Sequence, residues 1–239
     1  MYRKPILLLL FLFVWPVAAG AQDTYLPTVA DNVVNGDEPE LTGKIIITID
    51  DCAFQSLAEE EFNILNSRGL KATFFCNTKY LIQQDPAFWR GVLAAGFEFG
   101  YHTQNHNGNM SRSQLEADFA GYLDFMRVYL EDPNLQVRFV RPPFGAWDSA
   151  WLAWAAANDL YTVRWNIVEP RVSATQEYIR IVVPHPEGGP IFLLHVRRPD
   201  ANWLANNINF LMTLVGQADA NTFPTLSGAF LSGVTYSSW

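Results

Sequence analysis

Apolar and polar positions along this chain fall into blocks of two kinds. Short runs rich in β-branched and aromatic residues, at 45–49, 72–76, 97–99, 137–140, 161–167 and 191–194, read as strands. Between them lie longer segments whose apolar residues recur at helical spacing. In the first, Leu57, Phe62, Ile64 and Leu65 sit among Glu59, Glu60, Glu61 and Arg68, and Gly69 closes the segment. Further helices are expected at 86–95, 113–130, 148–158, 174–183 and 203–215. Repeated strand-then-helix units imply an α/β fold with a parallel sheet or barrel and crossover helices. In such folds function gathers at the C-terminal ends of the strands.

The flanks add a second layer of organisation. Arg3 and Lys4 precede an apolar run from Ile6 to Ala18 and the small residues Ala19, Gly20 and Ala21, the pattern of a secretory signal peptide over 1–21. The run is short for a membrane span, which needs about 20 apolar residues. A secreted or periplasmic protein without stable membrane insertion is therefore expected. Residues 22–43, with Pro27, Gly36, Pro39 and Gly43, read as a linker into one domain over 44–239. The chain has 16 basic and 24 acidic residues. Removing Arg3 and Lys4 leaves 14 basic residues against the same 24 acids, a net charge of −10. Such a surface repels nucleic acid and suits neutral or cationic ligands. The eight Trp and an aromatic share of 14% fit a carbohydrate ligand, on whose rings aromatic faces stack. Cys52 and Cys76, each at a predicted strand end, permit one disulfide in an oxidising compartment. A monomer is expected.

Chemistry concentrates where the strands end. The run Ile45-Ile46-Ile47-Thr48-Ile49 stops at Asp50 and Asp51, and adjacent carboxylates tend to split their pKa values or bind a cation. If they alternate as strand residues do, they face different neighbours and can hold different jobs. After 97–99 come His102 and His106, four apart, a spacing from which two imidazoles can reach one metal. His195 ends the strand at 191–194, so three of the four histidines fall at strand ends, while His185 between two prolines reads as a loop residue. Each could instead be a satisfied core or capping histidine. Past the strand at 137–140, Arg141-Pro142-Pro143-Phe144-Gly145 offers a fixed positive charge and a stiff loop. Its first free amide, that of Phe144, can be aimed at a ligand.

In this order and spacing, Thr48-Ile49-Asp50-Asp51, His102-Thr103-Gln104-Asn105-His106, Arg141-Pro142-Pro143-Phe144-Gly145 and Leu193-Leu194-His195 resemble four of the five motifs of the polysaccharide deacetylases, the NodB-homology domain of carbohydrate esterase family 4. Lys71-Ala72-Thr73-Phe74-Phe75 is similar to that family's second strand, and the resemblance covers roughly 44–230. It implies a distorted (β/α) barrel of about seven strands and one divalent metal, most simply Zn2+, on Asp51, His102 and His106. It further implies Asp50 as general base for the attacking water, Arg141 orienting it, and His195 as the acid that protonates the leaving group. The Phe144 amide would stabilise the oxyanion, and Trp165 would precede the remaining motif. The substrate would be an acetylated polysaccharide, N-acetylated and chitin-like or peptidoglycan, with O-acetylated xylan as the nearest competitor. A carbohydrate-binding homologue without activity and an Fe(II) oxygenase are the readings from other classes. Two departures stand out: Cys52 replaces the glycine usual after the acidic pair, and Arg171-Val172 stands where an Asp-Trp pair is usual, with Glu169 as a candidate replacement acid.

Overall fold

The computed structural model describes residues 32–168 and 188–230. Eight strands form one sheet: β1 Val33–Val34, β2 Ile46–Asp51, β3 Thr73–Cys76, β4 Glu98–Tyr101, β5 Phe139–Val140, β6 Tyr161–Val163, β7 Ile167–Val168 and β8 Ile191–His195. Their spatial order is β1-β6-β5-β4-β3-β2-β8-β7, and every pairing is parallel. The helices are α1 Gln55–Asn66, α2 Thr78–Leu81, α3 Pro86–Ala94, α4 Arg112–Tyr129, α5 Ser149–Ala157, α6 Arg198–Met212 and α7 Leu226–Phe230. Where they were expected, helices agree to within a few residues at most ends. The helix expected at 174–183, with His185, Glu169 and Arg171, lies outside the described residues, as does the segment 1–21.

Alternation along β2 shows how the sheet separates two cores. Ile45, Ile47 and Ile49 join the outer layer with Phe74, Trp89 and Leu204, where the helices cover the sheet. Ile46 belongs to an inner cluster with Val34, Phe75, Phe139, Val163 and Ile191, side chains from six strands. One cluster can collect them only if the sheet curls on itself, the distorted barrel the resemblance implied, with eight strands among the described residues rather than about seven. Inside, room is scarce: a Cβ on Gly100 would lie 2.4 Å from the Phe75 ring. At the bottom α7 closes the barrel, and Ser227 and Thr73 both donate to the buried carboxylate of Glu98.

Two expectations need correction. The strand read at 161–167 is split, because it changes partner: Arg164 N–H donates to Val34 O (2.8 Å), and two residues later Asn166 N–H donates to Ile191 O (3.2 Å). One segment thus touches both edges of the sheet and draws the barrel together. The described part of the segment read as a linker, 32–43, is built into the domain: Val33 and Val34 pair with Thr162 and Val163, and Val34 and Leu41 are fully buried. Its Pro and Gly content marks turns within the fold rather than a tether.

Candidate active site

At the top of the barrel, β2, β4, β5 and β8 deliver their last residues to one place. Asp50 follows the inward alternation of Ile46 and Thr48 and is almost fully buried. Its Oδ1 accepts from Arg141 Nη1 at 2.6 Å. Arg141 crosses the barrel interior from β5 and divides its donors: Nη1 also to Thr48 Oγ1 (2.8 Å), Nε to Val163 O (3.1 Å) and Nη2 to Arg164 O (3.2 Å). The guanidinium lies over the Phe75 ring at 4.4 Å and near Trp165 at 5.5 Å. A buried arginine with every face occupied is a rigid charge, and it holds the Asp50 carboxylate in one orientation. Thr48, which in turn donates to Phe192 O (2.5 Å), was missed in the sequence, where it reads as one more strand residue.

Strict alternation would send residue 51 outward with Ile47 and Ile49. Instead the backbone turns left-handed at Asp51 (φ 74°) and Cys52 (φ 57°), and the carboxylate stays on the rim. Asp51 Oδ1 lies 3.3 Å from His106 Nε2 and 3.6 Å from His102 Nε2, while Asp50 Oδ2 is 3.7 Å from His102 Nε2. The two acids share His102 and differ in their second neighbour, Arg141 for Asp50 and His106 for Asp51.

The tautomer of His102 decides what these contacts are. Its Nδ1 sits 2.7 Å from Arg141 O, an atom that can only accept, so Nδ1 carries a proton and the neutral ring presents a lone pair at Nε2. A lone pair cannot hydrogen-bond to a carboxylate oxygen, and Asp51 Oδ1 is buried with no hydrogen-bond partner. One ligand atom each from Asp51, His102 and His106 lie within 4.8 Å of one another. A buried carboxylate oxygen without a hydrogen-bond partner, set against two imidazole nitrogens, is a donor set that a divalent cation fits. Burial pulls the His106 pKa down, against the opposing charge of Asp51, and so favours the neutral, ligating form.

The remaining expected residues stand around this cluster. His195, opposite Asp50 in the β2–β8 register, has its pKa lowered chiefly by burial, with Asp50 opposing, and its buried Nδ1 has no partner. Phe144 takes φ 60° and is 81% exposed, its ring 4.5 Å from that of His106. Among the described residues its N–H makes no hydrogen bond, whereas the next two amides close back on Pro142 and Pro143. Trp165 touches Arg141 and Trp147 (ring centroids 5.1 Å apart) rather than the histidines. The Cys52–Cys76 disulfide is present, joining the ends of β2 and β3. Two further residues were missed. Asn77 donates to His102 O (2.6 Å) and Thr103 O (2.9 Å), and Asp118 accepts from Tyr101 Oη (2.7 Å) and Gln104 N (2.9 Å), which fixes the histidine loop. The rule that function gathers at strand ends, applied to β3, would have flagged Asn77. Nothing local marks Asp118, which lies within a helix.

A carboxylate held by arginine, a candidate cation site beside it and an imidazole on the neighbouring strand form the kind of arrangement that can activate water and protonate a leaving group, here at the top of a (β/α) barrel. Residues 37–163 match the model of the polysaccharide deacetylase family, and the chain belongs to that family. A chitooligosaccharide deacetylase of Bradyrhizobium sp. (strain ANU 289) is 30% identical over 158 residues, 64% of this chain and 71% of the relative. Among solved structures, a family 4 carbohydrate esterase from Bacillus anthracis superposes with a TM-score of 0.67 at 19% identity, covering 92% of this chain and 96% of that one. A CE4 family pseudoenzyme from the same organism has the same fold, with a TM-score of 0.68 at 16% identity, covering 84% of this chain and 70% of its own.

Proposed function

We propose that this protein is an exported, metal-dependent hydrolase that removes acetyl groups from an N-acetylated polysaccharide of the chitin-like or peptidoglycan kind. The observation that carries the reading is the buried, unpartnered Asp51 Oδ1 facing the lone pair of His102, with a second carboxylate held apart from it by Arg141. Asp51, His102 and His106 would hold one divalent cation, zinc being the simplest fit to two imidazoles and a carboxylate. Bound there, it supplies Lewis acidity toward the acetyl carbonyl and lowers the pKa of water.

The other roles fall to this chain's own groups. Asp50, paired with Arg141, accepts the proton of the attacking water. The free N–H of Phe144 donates to the oxygen on which charge develops. His195 gives its proton to the departing nitrogen, without which an amide is a poor leaving group. The exposed ring of Phe144 and half-buried Trp147 and Trp165 offer apolar faces to sugar rings. The disulfide and the signal-like segment over 1–21 support export, and no helix among the described residues is long and apolar enough to cross a membrane. The partnerless His195 Nδ1 favours one second reading, a homologue of weak activity, since no hydrogen bond among the described residues holds that nitrogen.

Acetate release from chitin oligomers, peptidoglycan and acetylated xylan, with and without a chelator, tests both. We expect chelator-sensitive release, greatest on the N-acetylated glycans, and a loss of about 10²–10⁴-fold in Asp50→Asn with metal retained. Full activity in Asp50→Asn would remove the base from this scheme. No acetate from any substrate, with zinc bound, would favour the weakly active reading.

A further inference from the structure

We propose that the C-terminal end of β3 is the positioning element of the cation site, with the Cys52–Cys76 disulfide and the Asn77 carboxamide together fixing Asp51 against His102. This rests on reading Asp51, His102 and His106 as the ligand set. β3 lies between the two strands that carry ligands: in register, Asp51 of β2 stands beside Cys76, and Cys76 beside Tyr101 of β4, the residue before His102. Whatever holds the end of β3 to both neighbours sets the distance between the ligands.

Toward β2 the hold is covalent and backbone-directed. Asp51 and Cys52 are consecutive L-residues in the left-handed region, which their Cβ atoms disfavour. That turn is what brings the Asp51 carboxylate to the histidines. It is pinned by the disulfide from Cys52 to Cys76 (Cα–Cα 5.0 Å), by Gln84 Nε2 donating to Cys52 O (2.7 Å), and by Asn77 N–H donating to Asp51 O (3.3 Å). Toward β4 the hold is the Asn77 side chain, fully buried, whose amide gives both donors to the carbonyls of His102 and Thr103. Thr103 is itself left-handed (φ 63°) and its hydroxyl accepts from Asn107 N–H (3.0 Å), which carries the restraint past His106. Core packing alone asks for an apolar side chain at residue 77. A residue whose backbone N–H holds the Asp51 carbonyl while its carboxamide holds those of His102 and Thr103 is a device for setting the geometry of two ligands before the cation arrives, so that less ordering remains to be done on binding.

The test reads zinc affinity of the full chain by competition with a chromophoric chelator, with thermal unfolding in excess chelator as the control for folding. Asn77→Leu keeps the branched shape, with bulkier methyls, and removes both donors, and we expect zinc binding weakened about 10–100-fold, the usual effect of losing a partner behind a ligand. Cys52→Ala/Cys76→Val should lose affinity by a similar factor. Cys52→Gly/Cys76→Val lacks the cross-link equally, but glycine accepts the left-handed turn without strain, so it should recover much of the loss. If Asn77→Leu does not fold, the two cysteine pairs decide the matter alone. Zinc affinity within threefold of wild type in the variants that fold, whatever their melting temperatures, would overturn the proposal. A wild-type chain that binds zinc yet releases no acetate would overturn the assigned activity and not this inference. One that binds no zinc would overturn both.

Discussion

Arg141 and His195 reach opposite sides of Asp50 and differ in how tightly they are held. The guanidinium has four acceptors and two aromatic neighbours, so Asp50 cannot change its orientation without breaking a buried network. The imidazole has a buried Nδ1 with no partner, and its pKa sits below the ordinary histidine value because burial disfavours the imidazolium. The sign of the consequence follows directly. A general acid must be protonated to act, and a lowered pKa means the proton leaves as pH rises past a point below about 6.5. We expect the descending limb of kcat against pH to lie under that of an ordinary histidine and to vanish from the residual activity of His195→Gln. A descending limb unchanged in that variant would assign the acid elsewhere. Both residues could be named from the sequence because each ends a strand, but the absence of a partner on Nδ1 is a property of the packed site only.

At the scale of elements, α1 shows how a helical pattern can mislead. Glu59, Glu60 and Glu61 stand together among its apolar positions, yet Glu61 is fully buried against α6, where Asp200 is buried too. Both Glu61 oxygens lack a hydrogen-bond partner, while Asp200 is paired with Arg197. Burial first, and then the charge of Asp200, raises the Glu61 pKa well above its usual value. A folded-state pKa raised in this way means that stability is lost as pH rises from the unfolded value of about 4.5 toward the folded one. Glu61→Gln should therefore be more stable than wild type at pH 7, by roughly 1–3 kcal/mol, and the gain should shrink as pH falls to 4. Urea unfolding at the two pH values measures it. An equal effect at both would mean that the carboxyl is not the source of the penalty. Helical periodicity could not show this, because three consecutive glutamates leave the boundary of the buried stripe to the neighbouring helix.

For the whole molecule, the barrel depends on a segment whose composition reads as a tether. Val34 from β1 packs into the inner core with residues of five other strands, and Gly36 O accepts from Gly189 N–H (2.8 Å) where the two edges of the sheet approach. Val34→Ala should cost about 1.5–3 kcal/mol in chemical denaturation. A residue in a free linker would change stability by no more than about 0.5 kcal/mol.

What the sequence determined by itself was local: the strand-then-helix alternation, the carboxylates, histidines and arginine at strand ends, and the resemblance those motifs carry. These are legible because the side-chain period records which face of an element is buried, and because strand ends gather the chemistry in α/β folds. The tertiary structure alone decided the change of partner at 164–166, the incorporation of 32–43, the burial of Glu61 and the bracing of both ligand strands by Asn77. Each of these depends on which distant segment lies alongside, and the order and curl of strands are set by contacts between residues far apart in the chain. The left-handed turn that separates Asp51 from Asp50 belongs with them, since beyond its own Cys52 N–H to Asp50 O bond it is held by the disulfide and by hydrogen bonds from β3 and the residues after it.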